Sequence, residues 1–354
     1  MELSGIIYLL NKAGTRFQRG GKMMLRKSTL SICIMCLILL VSSAAFGKWE
    51  RSRESNPVDM EGHLKGIHFA DEKHGYAVGD YSIILATKDG GKSWQKQQSP
   101  VSHDLWDVHF VNEKTGWISG ANGAILYTNN GGKFWKPQST LVSVTLYGIF
   151  FLDEKRGWAV GSNGTVITTK SGGSSWALLS GGSAAGEIGG GDPGYWDIQF
   201  LTPTLGWAVG ENGTIRMTKD GGKKWEDQNN VEVSGIDSNL STLDFVNETT
   251  GWTIGEGGVI MHTSDAGKTW TSQATDMGLT EWMHGVDFIS EKEGMASGEY
   301  GTILHTTDGG KTWKVDASGK QQGSIRDPFY AITFPNAKAA YAAGEWGTIL
   351  KYKP

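Results

Sequence analysis

The sequence predicts an all-β fold, a seven-bladed β-propeller of four-stranded antiparallel blades whose last blade is closed by an N-terminal strand. A phrase similar to Gly-Trp-Ala-Val-Gly recurs along the chain, beginning at Gly75, Gly116, Gly157, Gly206, Gly251, Gly294 and, in a weaker form, Ala340. A second phrase of the type Thr-x-Asp-Gly-Gly-Lys-Thr-Trp ends at Trp94, Trp135, Trp176, Trp225, Trp270 and Trp313. Its copies lie 41 to 49 residues apart, the length of one four-stranded blade. The 51 glycines and 15 tryptophans, with only 8 prolines, suit short strands, tight turns and an aromatic core.

Each repeat is predicted to be a meander of four strands, and the third repeat shows the pattern most clearly. Apolar alternation predicts an inner strand at Leu146–Phe151 and a second strand at Trp158–Gly161. The pair Asn163-Gly164 then forms a hairpin turn, because both residue types tolerate a positive φ. The third strand is predicted at Thr165–Thr169 and the outermost strand at Trp176–Leu179.

The inner strand carries one apolar signature in all seven repeats. A phenylalanine stands at the same register each time, at Phe69, Phe110, Phe151, Phe200, Phe245, Phe288 and Phe334. Two residues before it is an aliphatic residue, at Ile67, Val108, Ile149, Ile198, Leu243, Val286 and Ile332. Residues two apart share one face of a strand, so these positions predict the packed seam between blades.

The seventh repeat ends after its third strand, at Lys351-Tyr352, which would leave an unpaired sheet edge. The segment Gly47-Lys48-Trp49 is similar to the Gly-Lys-x-Trp ending of the other repeats, and Trp49 precedes Trp94 by 45 residues. We therefore expect the N-terminal end of the propeller to supply the outer strand of the last blade.

Residues 1–47 are predicted to be an export signal, and residues 48–354 the propeller. Basic Arg26 and Lys27 precede an apolar run from Leu30 to Val41, small residues follow, and Met23 or Met24 is an alternative start. The alternative is an uncleaved N-terminal anchor, since the apolar run falls only slightly short of a membrane span. The prediction places the protein outside the cytoplasm, in the periplasm or the extracellular space.

Both cysteines, Cys33 and Cys36, lie inside the apolar run, so the cleaved protein would contain no disulfide and no thiolate metal site. Ile32 and Met35 precede them where a lipoprotein signal requires a small residue, which argues against lipidation.

The charge balance excludes one class of partner. Residues 1–47 hold six of the 33 basic side chains and one of the 37 acidic ones, so the remainder carries a net charge of −9. Sequence-independent binding of nucleic acid needs cations that displace phosphate counterions. We therefore expect no nucleic-acid partner.

The second repeated phrase resembles the Asp box of sialidase-type propellers, most fully at Thr87–Trp94, Thr218–Trp225, Thr263–Trp270 and Thr306–Trp313. The resemblance implies a hairpin turn between the third and fourth strands, far from any active site. The residue types agree with a structural role: the aspartate accepts backbone N–H bonds, glycine adopts the left-handed conformation, and tryptophan buries a large face.

The Asp box combined with Gly-Trp-Ala-Val-Gly-x-x-Gly-Thr-Ile, over residues 62–354, resembles the photosystem II assembly and stability factor family. The resemblance implies an exported, non-catalytic propeller that binds a protein partner, a newly made subunit of a membrane complex in photosynthetic members. It implies peripheral membrane association. We expect a monomer without a cofactor or a bound metal.

The candidate site lies on the face where the inner strands begin and the second strands end. Aromatic residues stand at the start of several inner strands, at Trp106, Tyr147, Trp196 and Tyr330. Acids follow several second strands, at Glu211, Glu256, Glu299 and Glu345, two of them followed by the aromatics Tyr300 and Trp346. Aromatic rings with a few polar groups are typical of binding hot spots, so we predict partner binding here. The alternative is that the rings plug the channel and the acids solvate turns.

The second candidate function is a glycan-binding or sialidase-like hydrolytic propeller. A sialidase needs three converging arginines, but Arg156, Arg216 and Arg326 are predicted in a turn on the opposite face, a third strand and a loop. Hydrolysis of neutral glycans by paired carboxylates stays open. We expect no catalytic residues.

Overall fold

In the computed structural model, the described residues are 48–52, 62–181, 192–228, 238–273, 278–317 and 326–353. They form seven four-stranded antiparallel sheets, numbered here as blades 1 to 7 in the order of their inner strands. The prediction of a seven-bladed all-β propeller is confirmed.

Strands are numbered along the chain. The inner strands of blades 1 to 7 are β2 (Leu64–Phe69), β6 (Leu105–Phe110), β10 (Leu146–Phe151), β14 (Tyr195–Phe200), β18 (Leu240–Phe245), β22 (Met283–Phe288) and β26 (Phe329–Asn336). The second strands are β3 (Gly75–Gly79), β7 (Gly116–Gly120), β11 (Gly157–Gly161), β15 (Gly206–Gly210), β19 (Gly251–Gly255), β23 (Gly294–Gly298) and β27 (Ala339–Gly344). The third strands are β4 (Ile84–Thr87), β8 (Ile125–Thr128), β12 (Thr165–Thr169), β16 (Ile215–Thr218), β20 (Ile260–Thr263), β24 (Ile303–Thr306) and β28 (Ile349–Lys353). The outer strands are β5 (Gln95–Gln97), β9 (Lys136–Gln138), β13 (Ala177–Ser180), β17 (Glu226–Asp227), β21 (Thr271–Ser272), β25 (Lys314–Ala317) and β1 (Lys48–Arg51).

The third repeat differs from its prediction at three strand ends. β11 begins one residue earlier, at Gly157, and β13 is shifted by one residue, from Ala177 to Ser180. Trp176 stays outside the outer strand because its ring is buried and its Nε1 donates to Gln138 Oε1 of blade 2 at 3.1 Å. Asn163 and Gly164 both have a positive φ, as the predicted hairpin turn requires.

The predicted seam between blades is confirmed. Each inner-strand phenylalanine is buried, and six of the seven stack face to face on an aromatic ring of the preceding blade's second strand. The Trp117 and Phe151 rings, for example, lie 3.5 Å apart between blades 2 and 3. The exception is Phe334, which packs in the same buried cluster as Met295. Such pairs add about 0.5–1.5 kcal/mol each beyond their area burial.

The predicted closure of the ring is also confirmed. β1 pairs antiparallel with β28, with Trp49 opposite Tyr352 and their ring centroids 5.4 Å apart. Trp49 Nε1 also donates to Asp316 Oδ2 of blade 6 at 2.8 Å. The closing strand is therefore tied to its own blade and to the preceding one.

Residues 1–47 lie outside the described residues, so the export signal, its cleavage and the two-part division of the chain stay predictions. In the part of the chain that the structure describes, no helix has the length and apolar character needed to cross a membrane.

Candidate functional site

A β-bulge near the start of every inner strand brings the second residue of that strand to the channel mouth. The pairing with the second strand shifts between the first and third residues in all seven blades, as between Leu146 and Gly148. Strict alternation would place this second residue on the seam face, with the phenylalanine. A bulge re-aims the side chain, which therefore faces the channel.

The seven bulge residues line one cavity of about 560 Å³ at the mouth of the channel. They are Lys65, Trp106, Tyr147, Trp196, Ser241, His284 and Tyr330. The predicted aromatic residues Trp106, Tyr147, Trp196 and Tyr330 therefore share one site.

The rings around the mouth touch one another in an almost continuous chain. Trp106 meets Tyr147 edge to face with centroids 4.8 Å apart, and the Tyr147 and Trp196 centroids are 6.5 Å apart. The chain continues, ring to ring at 5.2–5.9 Å, through Trp196, Trp282, His284, Tyr330, His63 and Trp346. We call the cavity-lining members of this chain, from Trp106 to His63, the collar.

Three collar residues were not among the predicted site residues: His284, the bulge residue of blade 6, and two residues that precede inner strands. Trp282 and His63 each stand one residue before an inner strand, and both line the cavity. The bulge leaves the preceding residue close to the mouth as well. The available signal was an aromatic side chain directly before an inner strand.

Lys65 is the one lysine or arginine among the described residues that line the cavity. Its Nζ lies 2.5 Å from Asp80 Oδ1, 3.6 Å from Asp104 Oδ2 and 3.9 Å from the Trp106 ring centroid. Burial lowers the pKa of His284 to about 4, so this collar imidazole is neutral at pH 7.

The predicted acids lie on the same face, but only Glu211 lines the cavity, where its Oε2 accepts the Gly194 N–H at 2.8 Å. Glu256, Glu299 and Glu345 stand outside the cavity wall, in short 3₁₀ turns after their second strands. The Glu256 carboxylate accepts from Asn239 Nδ2 at 3.1 Å.

Acids of three neighbouring blades act together on Tyr330. The Tyr330 hydroxyl donates to Glu345 Oε1 at 3.3 Å. Burial, followed by the charges of Glu345, Asp80 and Glu299, raises the pKa of Tyr330 to about 12. Acids of blades 6, 7 and 1 therefore lie close to this hydroxyl.

The predicted aromatics Tyr300 and Trp346 also lie outside the cavity wall. They are 55% and 59% exposed, and the Trp346 ring contacts His63 at the edge of the collar. They form the rim of the mouth rather than its lining.

Below the mouth, buried aspartates join inner strands of neighbouring blades. They are Asp107, Asp197, Asp244 and Asp287, which accept backbone N–H bonds from Ile149, Leu243, Phe288 and Phe334 of the next blade. Burial raises the pKa of all four, to about 7 for Asp107 and about 8 for Asp244, where the charge of Asp287 adds to the effect. The sequence interpretation did not include them.

The Asp boxes occupy the opposite face, as the resemblance implied. Asp89 Oδ1 accepts the N–H groups of Lys92 and Ser93 at 3.0 Å, and Oδ2 accepts the Ser93 hydroxyl at 2.7 Å. Gly90 and Gly91 both have a positive φ, and Trp94 is buried. The Asp89 carboxylate therefore satisfies donors of its own turn, while the Gly90 carbonyl accepts the Tyr341 hydroxyl of blade 7 at 2.9 Å.

Among the described residues, metal-ligating side chains and arginines do not converge at the mouth. One group of metal-ligating types lies close together on the Asp-box face, made of exposed Asp71 and Glu113 and half-buried His74. Arg156 pairs with Asp153 at 2.5 Å and Arg216 with Asp227 at 2.7 Å, both away from the cavity.

The fold and the mouth together define a class of protein, a seven-bladed Asp-box propeller with an aromatic collar on one face. The profile of the family described as Photosynthesis system II assembly factor YCF48 matches residues 43–137, 192–282 and 276–353. These matches cover more than half of the sequence, and the chain belongs to this family. The resemblance seen in the sequence is confirmed.

Individual relatives are more distant. The Photosystem II assembly lipoprotein Ycf48 of Prochlorococcus marinus (strain MIT 9313) is 33% identical over 75 residues, 21% of this chain and 20% of that protein. The match thus spans about a fifth of the relative's length.

Two solved structures share the fold. A structure described as YCF48 bound to D1 peptide is 21% identical, with a TM-score of 0.69 over 88% of this chain and 97% of its own. The GH74 enzyme of Niastella koreensis is 13% identical, with a TM-score of 0.65 over 82% of this chain and 52% of its own. At these identities the likeness shows the fold alone.

Proposed function

We propose that this protein is an exported, non-catalytic propeller that binds a protein partner, a subunit of a membrane complex, through the collar. The observation that carries the proposal is the chain of contacting rings around a cavity of about 560 Å³. Large amphipathic rings bury much area and lose little conformational entropy on binding, which is why they dominate hot spots. The collar offers several such rings within reach of one inserted segment.

Family membership supports the type of partner. Members are described as photosystem II assembly factors, and a solved relative is described as bound to a D1 peptide. A polypeptide is therefore the ligand class that best fits the mouth of this chain. The family also suggests a role for this protein, which is to assist the assembly of a photosynthetic membrane complex.

Residues 1–47 support export, because a basic segment, an apolar run and small residues follow one another there. The Prochlorococcus relative is named as a lipoprotein, which agrees with an extracytoplasmic place for the family. A propeller that holds a membrane subunit would associate with the membrane peripherally, as a monomer.

A glycan-binding or glycan-hydrolysing propeller is the second candidate, and one observation favours it. Trp196 and Trp282 stack nearly parallel, 16° between planes and 5.6 Å between centroids, and so present flat faces of the kind that contact sugars. The four carboxylates that line the cavity all have partners within the ring, which favours binding over hydrolysis: Asp107 and Asp197 accept backbone N–H bonds from the next blade. Asp80 is paired with Lys65, and Glu211 accepts a backbone N–H.

The test is a comparison of Trp196→Ala with Phe134→Ala. Trp196 lines the cavity, whereas Phe134 is an equally aromatic, 60% exposed residue of an Asp-box turn on the opposite face. Partners are captured by cross-linking on the host membrane, and affinities for the purified subunit are then measured. We expect Trp196→Ala to weaken binding by at least ~2 kcal/mol and Phe134→Ala to leave it unchanged.

Two results would contradict the proposal. Equal affinities of both variants would place binding elsewhere on the ring. Hydrolysis of chromogenic sialosides or neutral glycosides by the parent, lost in Glu211→Gln, would identify an enzyme.

A further inference from the structure

The turns after the second strands divide the ring into two unequal parts. The second residue of each turn adopts the left-handed conformation, with φ between 53° and 73°. Blades 2 to 5 use residues suited to it, Asn122, Asn163, Asn212 and Gly257. Blades 1, 6 and 7 use aromatic residues, Tyr81, Tyr300 and Trp346.

An aromatic residue is a poor choice for this backbone. The left-handed conformation crowds Cβ against the following carbonyl, which glycine avoids and asparagine tolerates. Burial does not compensate, because Tyr81, Tyr300 and Trp346 are 68%, 55% and 59% exposed. Bulky residues held in a strained conformation persist mainly where function requires them.

The turn itself does not need the rings. In blade 1 the Tyr81 N–H donates to Asp104 Oδ1 at 3.0 Å, and in blade 4 the Asn212 N–H donates to Asn239 Oδ1 at 3.1 Å. The equivalent backbone bond forms with an aromatic residue or with asparagine. The turn therefore does not explain the aromatic rings, which lie exposed on the surface where a ligand can contact them.

The three blades are consecutive in the closed ring, since β26 of blade 7 packs between β22 of blade 6 and β2 of blade 1. An acid directly precedes each ring, giving the pairs Asp80-Tyr81, Glu299-Tyr300 and Glu345-Trp346. Asp80 is paired with Lys65, but no described lysine or arginine forms an ion pair with Glu299 or Glu345. The negative charge of blades 6 and 7 is therefore available to a ligand.

We propose that these three acid–aromatic pairs, called here the arc, bind an extended basic polypeptide segment, with one lysine or arginine side chain on each blade. A cation placed over an aromatic face gains about 0.5–2 kcal/mol as it is desolvated, and an adjacent carboxylate supplies the opposite charge. The inference rests on the proposed function and states which part of the partner the rim recognises.

Blade spacing sets the register of the segment. Inner strands of neighbouring blades approach within 8 Å, and stacked sheets lie roughly 10 Å apart, so we place neighbouring turns of the arc roughly 10 Å apart. In a polyproline II segment, every third side chain points the same way and lies about 9 Å from the last. In a β-strand the corresponding repeat is two residues and about 7 Å, which falls short. A basic residue at every third position therefore matches the arc.

The test uses fluorescein-labelled proline-rich peptides with three arginines at every third position, compared with every second and every fourth position. A further peptide carries glutamate in place of arginine. We expect the three-residue spacing to bind best, the affinity to fall with added salt, and the glutamate peptide not to bind. Equal binding of all three arginine spacings would overturn the proposal.

Substitutions are chosen so that they relieve strain. Trp346→Asn and Tyr300→Asn install the residue that blades 2 to 4 already use, and should weaken the arginine peptide about tenfold and fivefold. Tyr81→Asn should have the smallest effect, because Lys65 already neutralises Asp80. Asn163→Gly, at the same turn of blade 3, is the matched control and should change nothing.

Melting temperatures separate lost binding from lost folding. Trp346→Asn should melt at the same temperature as the parent or higher, because the strained ring is removed. Unchanged peptide affinity in Trp346→Asn and Tyr300→Asn would overturn the arc. Xyloglucan oligosaccharides that bind in a Trp346-dependent manner, while the arginine peptides do not, would overturn it by identifying a sugar surface.

Trp196→Ala keeps the two proposals apart. It should lose the membrane partner but bind the arginine peptide within twofold of the parent. If Trp196→Ala no longer binds the membrane partner but Trp346→Asn binds the arginine peptide with full affinity, the proposal for the arc is contradicted and the proposal for the collar is supported. Arc-dependent peptide binding in a protein that captures no exported partner would defeat the proposed function.

Discussion

Carboxylates stand in tight turns on both faces of the ring, but the two faces use them differently. On the Asp-box face, Asp89 accepts two backbone N–H bonds and a hydroxyl within its own turn. Burial alone would raise its pKa, but the hydrogen bonds from Ser93, Thr87 and Lys92 lower it to about 2. On the collar face, Glu345 accepts one hydrogen bond from Tyr330 at 3.3 Å, and Glu299 has no described ion-pair partner.

The difference separates carboxylates that stabilise the fold from carboxylates that are free to meet a ligand. An Asp-box acid satisfies the backbone of its own hairpin, so its removal should cost stability. Glu299 and Glu345 contribute little to their turns, whose backbone bonds form in every blade, as between the Glu299 N–H and the Trp282 carbonyl at 3.0 Å. Removing either carboxylate should change recognition instead.

Blade 7 has no Asp box, because its outer strand is β1. Removing β1 is the change from which we expect the largest effect on stability. Deleting residues 48–52 removes four paired residues and the bond from Trp49 Nε1 to Asp316. We expect the melting temperature to fall by roughly 5 °C or more and aggregation to increase, because an edge is exposed. Calorimetry and size-exclusion chromatography measure both effects. Unchanged melting and a single monodisperse peak would show that β1 is not needed for closure.

A single hydroxyl inside an Asp box is the next largest test. Thr306 Oγ1 is buried, accepts the Gly310 N–H at 2.8 Å and donates to Asp308 at 3.0 Å. Thr306→Val leaves that N–H unsatisfied and should lower the free energy of unfolding by about 2 kcal/mol, with partner affinity unchanged. Denaturant titration measures the free energy of unfolding, and fluorescence anisotropy measures the partner affinity.

Thr312→Val is the matched control, because its exposed hydroxyl also bonds Asp308, at 2.7 Å. It should cost no more than about 0.5 kcal/mol. Equal losses of unfolding free energy in Thr306→Val and Thr312→Val would mean that burial does not determine how much a hydroxyl stabilises its turn. A loss of partner affinity in Thr306→Val at full folding would break the division between the two faces.

The fold was largely predictable, because the same apolar register recurs in every repeat. Phe151 and its equivalents mark the seam, and the truncated seventh repeat with Trp49 near the start of the domain indicates the closure. Four collar rings, among them Trp106 and Trp196, were predictable from their place at the start of inner strands.

The rest of the site depends on geometry that one repeat does not contain. Trp282 and His63 join the collar through a bulge, and a bulge leaves no period in the sequence. Asp107 pairs with Ile149 across a blade boundary, 42 residues away, which no local pattern encodes. The strain at Trp346 is likewise visible only in its φ of 54°.

The buried aspartates of the channel extend the comparison. Asp107 accepts two backbone N–H bonds, from Val108 at 2.7 Å and from Ile149 at 3.0 Å. Asp89 also accepts two backbone N–H bonds, within its own turn. Burial, followed by the charge of Asp197, nevertheless raises the pKa of Asp107 to about 7. The folded state thus favours protonated Asp107. Its contribution to stability is full below the ordinary pKa near 4 and is lost as pH rises through about 7.

Asp107→Asn keeps a carbonyl oxygen for the Ile149 N–H and removes the charge. Relative to the parent, it should gain about 4 kcal/mol of unfolding free energy between pH 4 and pH 8, because each unit by which the pKa is raised corresponds to about 1.4 kcal/mol. Asp89→Asn, the matched variant, should show the opposite slope: its deficit at pH 7 should vanish as pH falls through about 2, because the pKa of Asp89 is depressed. Denaturant titrations from pH 2 to pH 8 measure both slopes. Parallel slopes in the two variants would mean that hydrogen bonding alone, and not solvation, sets how this ring uses its carboxylates.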